Sequence, residues 1–241
     1  MPSFVGGDTG GGNVTTLTGV SWPGGVQADD VAVLMWGTSS GAPVNTPSGF
    51  TLIDDYTANS GTHETSLFYR ICNGSESGAL SLVDGSANQQ SACLWVGRGF
   101  HPTNPIDGFS RFDETVSQTT HDCPSYTLVA ANCGILVCVS ERNTNGTNDW
   151  TPPTGFDSNE LDTQALAFGT GGTCTAVASD DLNTARVASA VVDPGNWTSA
   201  NAFASLSAVT YTLALVPDVA PPPDLTFVRP MTTPRGAGFR G

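Results

Sequence analysis

The chain has 241 residues and a net charge of −14, from 22 acidic residues against eight arginines, with no lysine. A chain this acidic is repelled by nucleic acid and by anionic membranes, so we expect neither as a partner. It has no long uninterrupted apolar run, and residues 1–8 lack a basic start and an apolar core, so we expect neither a membrane helix nor a secretory signal.

Residues 1–13 are rich in glycine and predict an N-terminal arm that becomes ordered on contact. Residues 14–217 alternate short apolar runs with turn-forming residues, and the whole chain has 28 Gly and 16 Pro. This pattern predicts an all-β fold, an antiparallel jelly-roll-like β-sandwich with two pseudo-equivalent halves. The twelve predicted strands are Val14–Val20, Val31–Trp36, Phe50–Tyr56, Glu64–Cys72, Ala79–Val83, Gln90–Val96, Ser125–Val129, Gly134–Ser140, Gln164–Phe168, Thr173–Ala178, Ala185–Val192 and Phe203–Val216.

The last predicted strand shows the clearest alternation. Every second residue from Val209 to Leu215 is apolar, while Thr210 and Thr212 lie between them. Successive side chains of a strand point to opposite faces, so we expect a half-buried strand with its threonines toward solvent. The stretch 97–123 lacks such alternation and predicts an irregular crossing between the two halves of the sandwich.

A strand followed by a polar loop and a Pro-x-Gly-Phe corner occurs twice, 106 residues apart. Proline fixes its φ and glycine reaches φ values that other residues avoid, so each corner can direct its phenylalanine ring into a core. We therefore expect both rings to be buried at equivalent places in the two halves. The corners are Pro47-Ser48-Gly49-Phe50 and Pro153-Thr154-Gly155-Phe156.

No motif for catalysis or metal binding stands out. The chain has no calcium-loop ladder, no phosphate-binding loop and no Cys-x-x-Cys pair. His63 and His121 each adjoin an acidic residue, but neighbours on a strand face opposite ways, so we expect loop or surface histidines. The six cysteines are expected to be buried free thiols. We predict no enzyme activity, no catalytic residue, no metal and no cofactor.

The five tryptophans are the remaining candidates for ligand binding. Trp36 and Trp95 lie within predicted strands and are expected in the core. Trp150 lies beside the second corner and Trp197 in a turn, where part of each ring could be exposed. Packing is the favoured role for both. They are the glycan-contact residues of an alternative prediction, in which the chain is a module that binds or cleaves carbohydrate on the host surface.

Two segments carry a resemblance to a known family. Trp22–Asp30 reads Trp-Pro-Gly-Gly-Val-Gln-Ala-Asp-Asp, and Thr46–Leu52 reads Thr-Pro-Ser-Gly-Phe-Thr-Leu. Both resemble motifs of a broad group of tailed-bacteriophage virion proteins, whose pattern more commonly has glycine in place of Asp29. Further similar segments are Leu67–Arg70, Cys93–Gly99 and Trp150–Phe156. The resemblance covers residues 14–217. It implies a jelly-roll-like sandwich acting as a minor tail or capsid-decoration protein, located in the virion after assembly in the host cytoplasm.

The chain changes character after Pro217. Residues 218–241 comprise a proline-rich spacer followed by a basic arm, because residues 225–241 hold three arginines and no acid, whereas residues 1–224 hold five arginines and 22 acids. We predict that the arm orders on docking to a partner subunit. The expected partners are capsid or tail subunits and further copies of the chain, with a trimer favoured. The predicted docking residues are Phe227, Arg229, Met231, Arg235, Phe239 and Arg240.

Overall fold

The structure is a computed structural model that describes residues 1–39, 45–58, 62–116, 118–143, 150–156, 159, 161–162, 173–199 and 207–218, with the backbone alone at 85–87, 162 and 173–175. Its strands are β1 (Ser3–Leu17), β2 (Ala28–Thr38), β3 (Thr51–Ala58), β4 (His63–Asn73), β5 (Leu82–Arg98), β6 (Ile106–Glu114), β7 (Thr120–Cys123), β8 (Tyr126–Thr127), β9 (Gly134–Asn143), β10 (Trp150–Thr151), β11 (Leu161–Asp162), β12 (Thr173–Asp181), β13 (Val191–Val192), β14 (Gly195–Ser199) and β15 (Ser207–Leu215). These ranges contain no helix, and their strand pairings are antiparallel. The predicted all-β sandwich is confirmed.

Each half of the chain forms one five-stranded sheet, and the two sheets share a strand order. The N-terminal sheet runs β1-β5-β2-β4-β3, and the C-terminal sheet runs β6-β15-β9-β12-β11. Replacing β1 to β5 in order by β6, β9, β11, β12 and β15 converts one sheet into the other. In a jelly roll the chain passes repeatedly between two sheets. Here each sheet belongs to one half of the chain, and the jelly-roll detail stays a prediction.

The two sheets stack face to face and bury a common core between them. The central strands contribute alternate residues, with Val33 and Met35 from β2 and Leu136 and Cys138 from β9. The apolar face predicted for the last strand, which includes Tyr211, also lies in this core. Burial of these side chains between the sheets is the main force that holds the two halves together.

Two inter-sheet hydrogen bonds show how the sheets lie on each other. The Trp95 indole of β5 donates to Asp180 Oδ2 of β12 at 2.7 Å, and the Tyr56 hydroxyl of β3 donates to Asp113 Oδ2 of β6 at 2.8 Å. Strand β5 therefore lies over β12 and β3 over β6, with β2 over β9 at the centre. The halves are thus related by a pseudo-two-fold rotation about an axis parallel to the strands.

Both halves begin and end at the same end of the sandwich. Ser3, at the start of β1, pairs with Arg98 at the end of β5. In the second half, Ile106 at the start of β6 pairs with Leu215 at the end of β15. We call this the chain-exit end, because the last described residue, Asp218, also lies there.

The Pro-x-Gly-Phe corner of each half packs on the outer face of the sheet of the same half and covers part of it. Phe50 packs outside the N-terminal sheet and Phe156 outside the C-terminal sheet, with 7% and 5% of their surfaces exposed. Each phenylalanine amide donates to the carbonyl of its corner proline, at 3.1 and 3.0 Å. The glycines between them have φ of +80° at Gly49 and +89° at Gly155. The predicted burial of both rings is confirmed.

A second pair of equivalent positions lies where the chain enters the two central strands. Asp29 lies four residues before Val33 and has φ of +68°, while Asn132 lies four residues before Leu136 and has φ of +58°. Aspartate and asparagine enter this left-handed region more readily than other residues with a Cβ. A left-handed residue therefore lies four positions before the first core residue named from each central strand, within β2 in one half and before β9 in the other.

Short strands form a third layer over the outer face of the C-terminal sheet. Strands β7, β14 and β10 make one three-stranded sheet, and β8 pairs with β13. The predicted solvent exposure of Thr210 and Thr212 is wrong, because this layer buries both and Thr210 Oγ1 donates to Asp122 O at 2.6 Å. The predicted irregular crossing at 97–123 is also wrong over most of its length, since it contains β6 and β7.

The glycine-rich start of the chain lies along the N-terminal sheet as edge strand β1, and this differs from the arm predicted for residues 1–13. Its glycines allow close packing. A Cβ at Gly7 would lie 2.3 Å from Leu161 Cδ1 and 2.4 Å from Leu94 O, and one at Gly10 would lie 2.8 Å from the backbone of Gly19. The high glycine content of residues 1–13 suggested a flexible arm. In the structure, glycine is needed there because a larger side chain would collide with the neighbouring segments. The predicted strand at 164–168 lies outside the described residues.

Candidate functional site

His63 of β4 is fully buried between the two sheets. Its Nε2 lies 2.9 Å from Ser140 Oγ, and its Nδ1 lies 3.2 Å from Ser207 Oγ. Burial, aided by the nearby Arg142 guanidinium, lowers the pKa of His63 to about 3. The neutral ring therefore links the N-terminal sheet to two hydroxyls of the C-terminal sheet. The prediction of a loop or surface position is wrong for this residue.

His121 of β7 is equally buried and lies between two carboxylates. Its Nδ1 contacts Glu114 Oε2, and its Nε2 lies 3.9 Å from Glu141 Oε2. Burial opposes a charge on the ring, but the two carboxylates outweigh it and raise the pKa of His121. The Trp150 ring packs against the imidazole, with 4.8 Å between the ring centroids. This histidine joins β6, β7 and β9 from the inside, so its predicted surface position is also wrong.

Trp150 and Trp197 both lie in the third layer, with only 1% and 0% of their surfaces exposed. They belong to the apolar cluster between that layer and the C-terminal sheet, together with Phe156. A sugar can stack only on a ring face that solvent reaches, so the glycan-contact prediction is wrong for both residues. The neighbouring turns suggested exposure, but the three-stranded sheet β7-β14-β10 directs both rings inward.

The five cysteines with described side chains are buried and free, as predicted, and the side chain of Cys174 lies outside the described residues. Burial raises the pKa of Cys72 to about 12. Among the described residues, no group of three His, Cys, Asp or Glu side chains is placed to hold a metal ion. The same part of the chain has no helix that could cross a membrane.

The chain-exit end is built around the linker between the halves. The Asp218 amide donates to Gly99 O at 2.8 Å, and the His101 amide donates to Val216 O at 2.9 Å. Pro217 forms a β-bridge with Phe100, whose ring is buried in the central core. The backbone that leads to the C-terminal arm is therefore fixed to the body up to Asp218.

A cavity of about 450 Å³ opens beside this exit point. The two ends of the described chain border it, with Met1 and Pro2 on one side and Pro217 and Asp218 on another. The remaining wall comes from the turn before β9 and from the segment after β12. The volume falls within the range of about 300–1,000 Å³ that is common for ligand sites. Its other lining residues are Asn132, Leu182, Asn183, Thr184 and Ala185.

An apolar surface adjoins this cavity. The Asn132 amide donates to Arg186 O at 2.7 Å, which joins the cavity wall to the paired segments 126–132 and 186–192. These segments carry three solvent-facing valines, and we call them the valine ribbon. Val129, Val187 and Val191 are 75%, 72% and 66% exposed. Exposed apolar side chains on neighbouring segments can contribute to an interaction surface.

The body presents an excess of negative charge. Residues 1–224 hold five arginines and 22 acidic residues. Four of these arginines are paired with carboxylates, which reduces the positive charge available to a partner. The ion pairs are Arg70 with Glu76, Arg98 with Asp30, Arg111 with Asp54 and Arg186 with Asp181.

The six predicted docking residues fall in residues 225–241, outside the described residues, and the structure fixes only the point from which that segment departs. Sequence reasoning missed the cavity because four separate segments form its walls. The valines of the ribbon were visible in the sequence, but they were assigned to the predicted strands Ser125–Val129 and Ala185–Val192. No protein-family model, no curated protein and no solved structure matches the chain.

Proposed function

We propose that this chain is a non-enzymatic structural protein of a tailed-bacteriophage virion. In this proposal the sandwich decorates the capsid or forms part of the tail, and residues 225–241 attach it to the particle. The observation that carries the proposal is the chain-exit end. There an acidic body holds the backbone of Asp218 in place, and the sequence continues beyond it to a segment of opposite charge, residues 225–241.

The resemblance of Trp22–Asp30 to the phage motif supports this proposal in one physical detail. The motif more commonly has glycine at the position of Asp29, and Asp29 has φ of +68°. Glycine adopts that region at the least cost, so the chain satisfies the backbone requirement that the motif implies. The proposal includes assembly in the host cytoplasm, a symmetric oligomer with three copies favoured, and a jelly-roll-related sandwich.

Incorporation into particles tests the proposal. Cells producing particles that lack the chain are supplied with full-length protein, with a form ending at residue 224, or with a form in which residues 225–241 are replaced by a Gly-Ser segment of equal length. We expect to find only the full-length protein in purified particles. All three proteins should have the same melting temperature, which shows that the sandwich is folded in each. Normal occupancy by the truncated form would refute attachment through the arm. Absence of the full-length protein from particles would refute the virion role.

The carbohydrate module remains the alternative from a different functional class. The two rings that favoured it are buried, so it requires another surface of the protein. Binding to a glycan array, or release of soluble sugar from host polysaccharide by the isolated protein, would favour this alternative over the structural role.

A further inference from the structure

We propose that the cavity at the chain-exit end, with the adjoining valine ribbon, binds the C-terminal arm, residues 225–241, of a neighbouring copy of this chain. The inference rests on the proposed role of the arm as a docking segment. It adds the receiving site, which the sequence did not reveal, and it identifies the partner as a second copy.

The chemistry of the arm complements that of the site. Phe227, Met231 and Phe239 are apolar side chains that the cavity and the exposed valines can cover. The arm carries three arginines and no acid, whereas the body that carries the cavity has 17 more acidic residues than arginines, 22 against five. Opposite charge favours the encounter of the arm with the body of a neighbouring copy, and burial of apolar side chains then holds the arm in the cavity.

The spacer favours a neighbouring copy over the arm's own cavity. Asp218 itself lines the cavity, so an arm that filled its own site would have to turn back at once. The sequence continues through Pro221, Pro222 and Pro223, which favour an extended path of about 3.1 Å per residue, or about 22 Å between Asp218 and Leu225. An arm on such a path would reach the cavity of a neighbouring copy more readily than its own.

Exchange of arms also determines the form of the assembly. Each copy offers one arm and one cavity of the kind that borders Ala185, and these two surfaces are different. Contacts of this head-to-tail kind generate a ring when the rotation between copies closes. A closed ring of three copies would place every arm in a cavity, in agreement with the trimer that the sequence analysis favours. Attachment through the arm then means that the chain enters the particle only as the ring that the arms hold together.

The test uses purified full-length protein and measures its mass in solution by light scattering. Ala185 is exposed and lines the cavity, so A185R places a long cation where the basic arm would bind. The matched control is V83R, at an exposed valine of β5 that pairs with Thr16 at the opposite end of the sandwich. We expect wild type and V83R to be oligomers, and A185R and the form ending at residue 224 to be folded monomers.

Mixing A185R with the form ending at residue 224 tests directly whether the arm of one copy binds the cavity of another. The A185R protein keeps an arm but has a blocked cavity, and the form ending at residue 224 has a free cavity but no arm. We expect the two monomers to form a 1:1 complex, and we expect A185R in the truncated form to weaken that complex at least tenfold.

Three results would overturn the inference: a monomeric wild type, an oligomer that survives A185R, or no complex on mixing. If the wild-type protein is monomeric but its arm is still needed for incorporation into particles, the proposed function stands and the receiving site belongs to another virion protein.

Discussion

Substituting alanine for the glycines of the two corners separates backbone strain from side-chain crowding. A Cβ at Gly155 would have no heavy atom within 4 Å, yet φ there is +89°. The corner cannot easily relax, because the buried Ser179 hydroxyl donates to the carbonyl of Phe156. We therefore expect G155A to lower the free energy of unfolding by about 1–2 kcal/mol, the cost of a left-handed residue with a Cβ. For a chain of this size the melting temperature should fall by about 2–8 °C.

Gly49 has nearly the same φ, +80°, but a Cβ there would lie 2.8 Å from Arg70 Nη1. That guanidinium pairs with Glu76 at 2.7 Å and lies over the Trp22 ring. Because the end of an arginine side chain can move, G49A should cost at most about 1 kcal/mol more than G155A.

Gly24 provides the control for both corner variants. It has no positive φ, and a Cβ there would meet no heavy atom within 4 Å. G24A should leave stability unchanged or raise it by up to about 1 kcal/mol. Urea unfolding of the three variants measures these differences. A neutral or stabilising G155A would refute the argument from backbone strain.

Three further predictions concern buried groups. Since burial lowers the pKa of His63 from 6.5 to about 3, its contribution to stability is complete above pH 6.5 and is lost as the pH falls. Acidification from pH 6.5 to 5 should cost about 2 kcal/mol from this group, and unfolding curves of H63Q should show a correspondingly smaller loss. W197A should destabilise the protein by about 3–5 kcal/mol, measured by urea unfolding, and a near-neutral result would contradict the ring's burial. The five buried cysteines should react with a thiol reagent only after unfolding, and rapid labelling of more than one thiol in the native protein would disprove this.

The sequence predicted the parts of the fold that depend on local pattern. Alternation from Val209 to Leu215 identified the face that enters the central core, and the two corners identified Phe50 and Phe156 as equivalent buried rings. Both inferences needed only the period of a strand and the backbone preferences of proline and glycine. The two-residue period of a strand and the conformational limits of proline and glycine do not depend on which other segments pack nearby. They therefore apply in the folded protein as they do in the sequence.

The sequence did not predict features that depend on distant segments. Strands β10 and β13 have two residues each, too few to show a period, so the third layer and the burial of Thr210 were missed. The hydroxyl partners of His63 lie at Ser140 and Ser207, in the other half of the chain. Glycine in β1 suggested flexibility, whereas the close approach of Leu161 and Leu94 is what requires its small size.

The placement of a candidate docking site at one end of the sandwich follows from the duplicated topology. In each half the first strand leaves the chain-exit end and the last strand returns to it, so the start of the chain, the linker and the exit meet there. The pseudo-two-fold axis parallel to the strands keeps both halves in this orientation. The halves differ at this end in the size of their cavities, because a cavity of about 450 Å³ lies beside the segment after β12, whereas the one beside Ala28 and Asp29 measures about 230 Å³. A partner that binds here therefore meets two cavities of unequal size, and this asymmetry allows a single arm to bind in a single orientation.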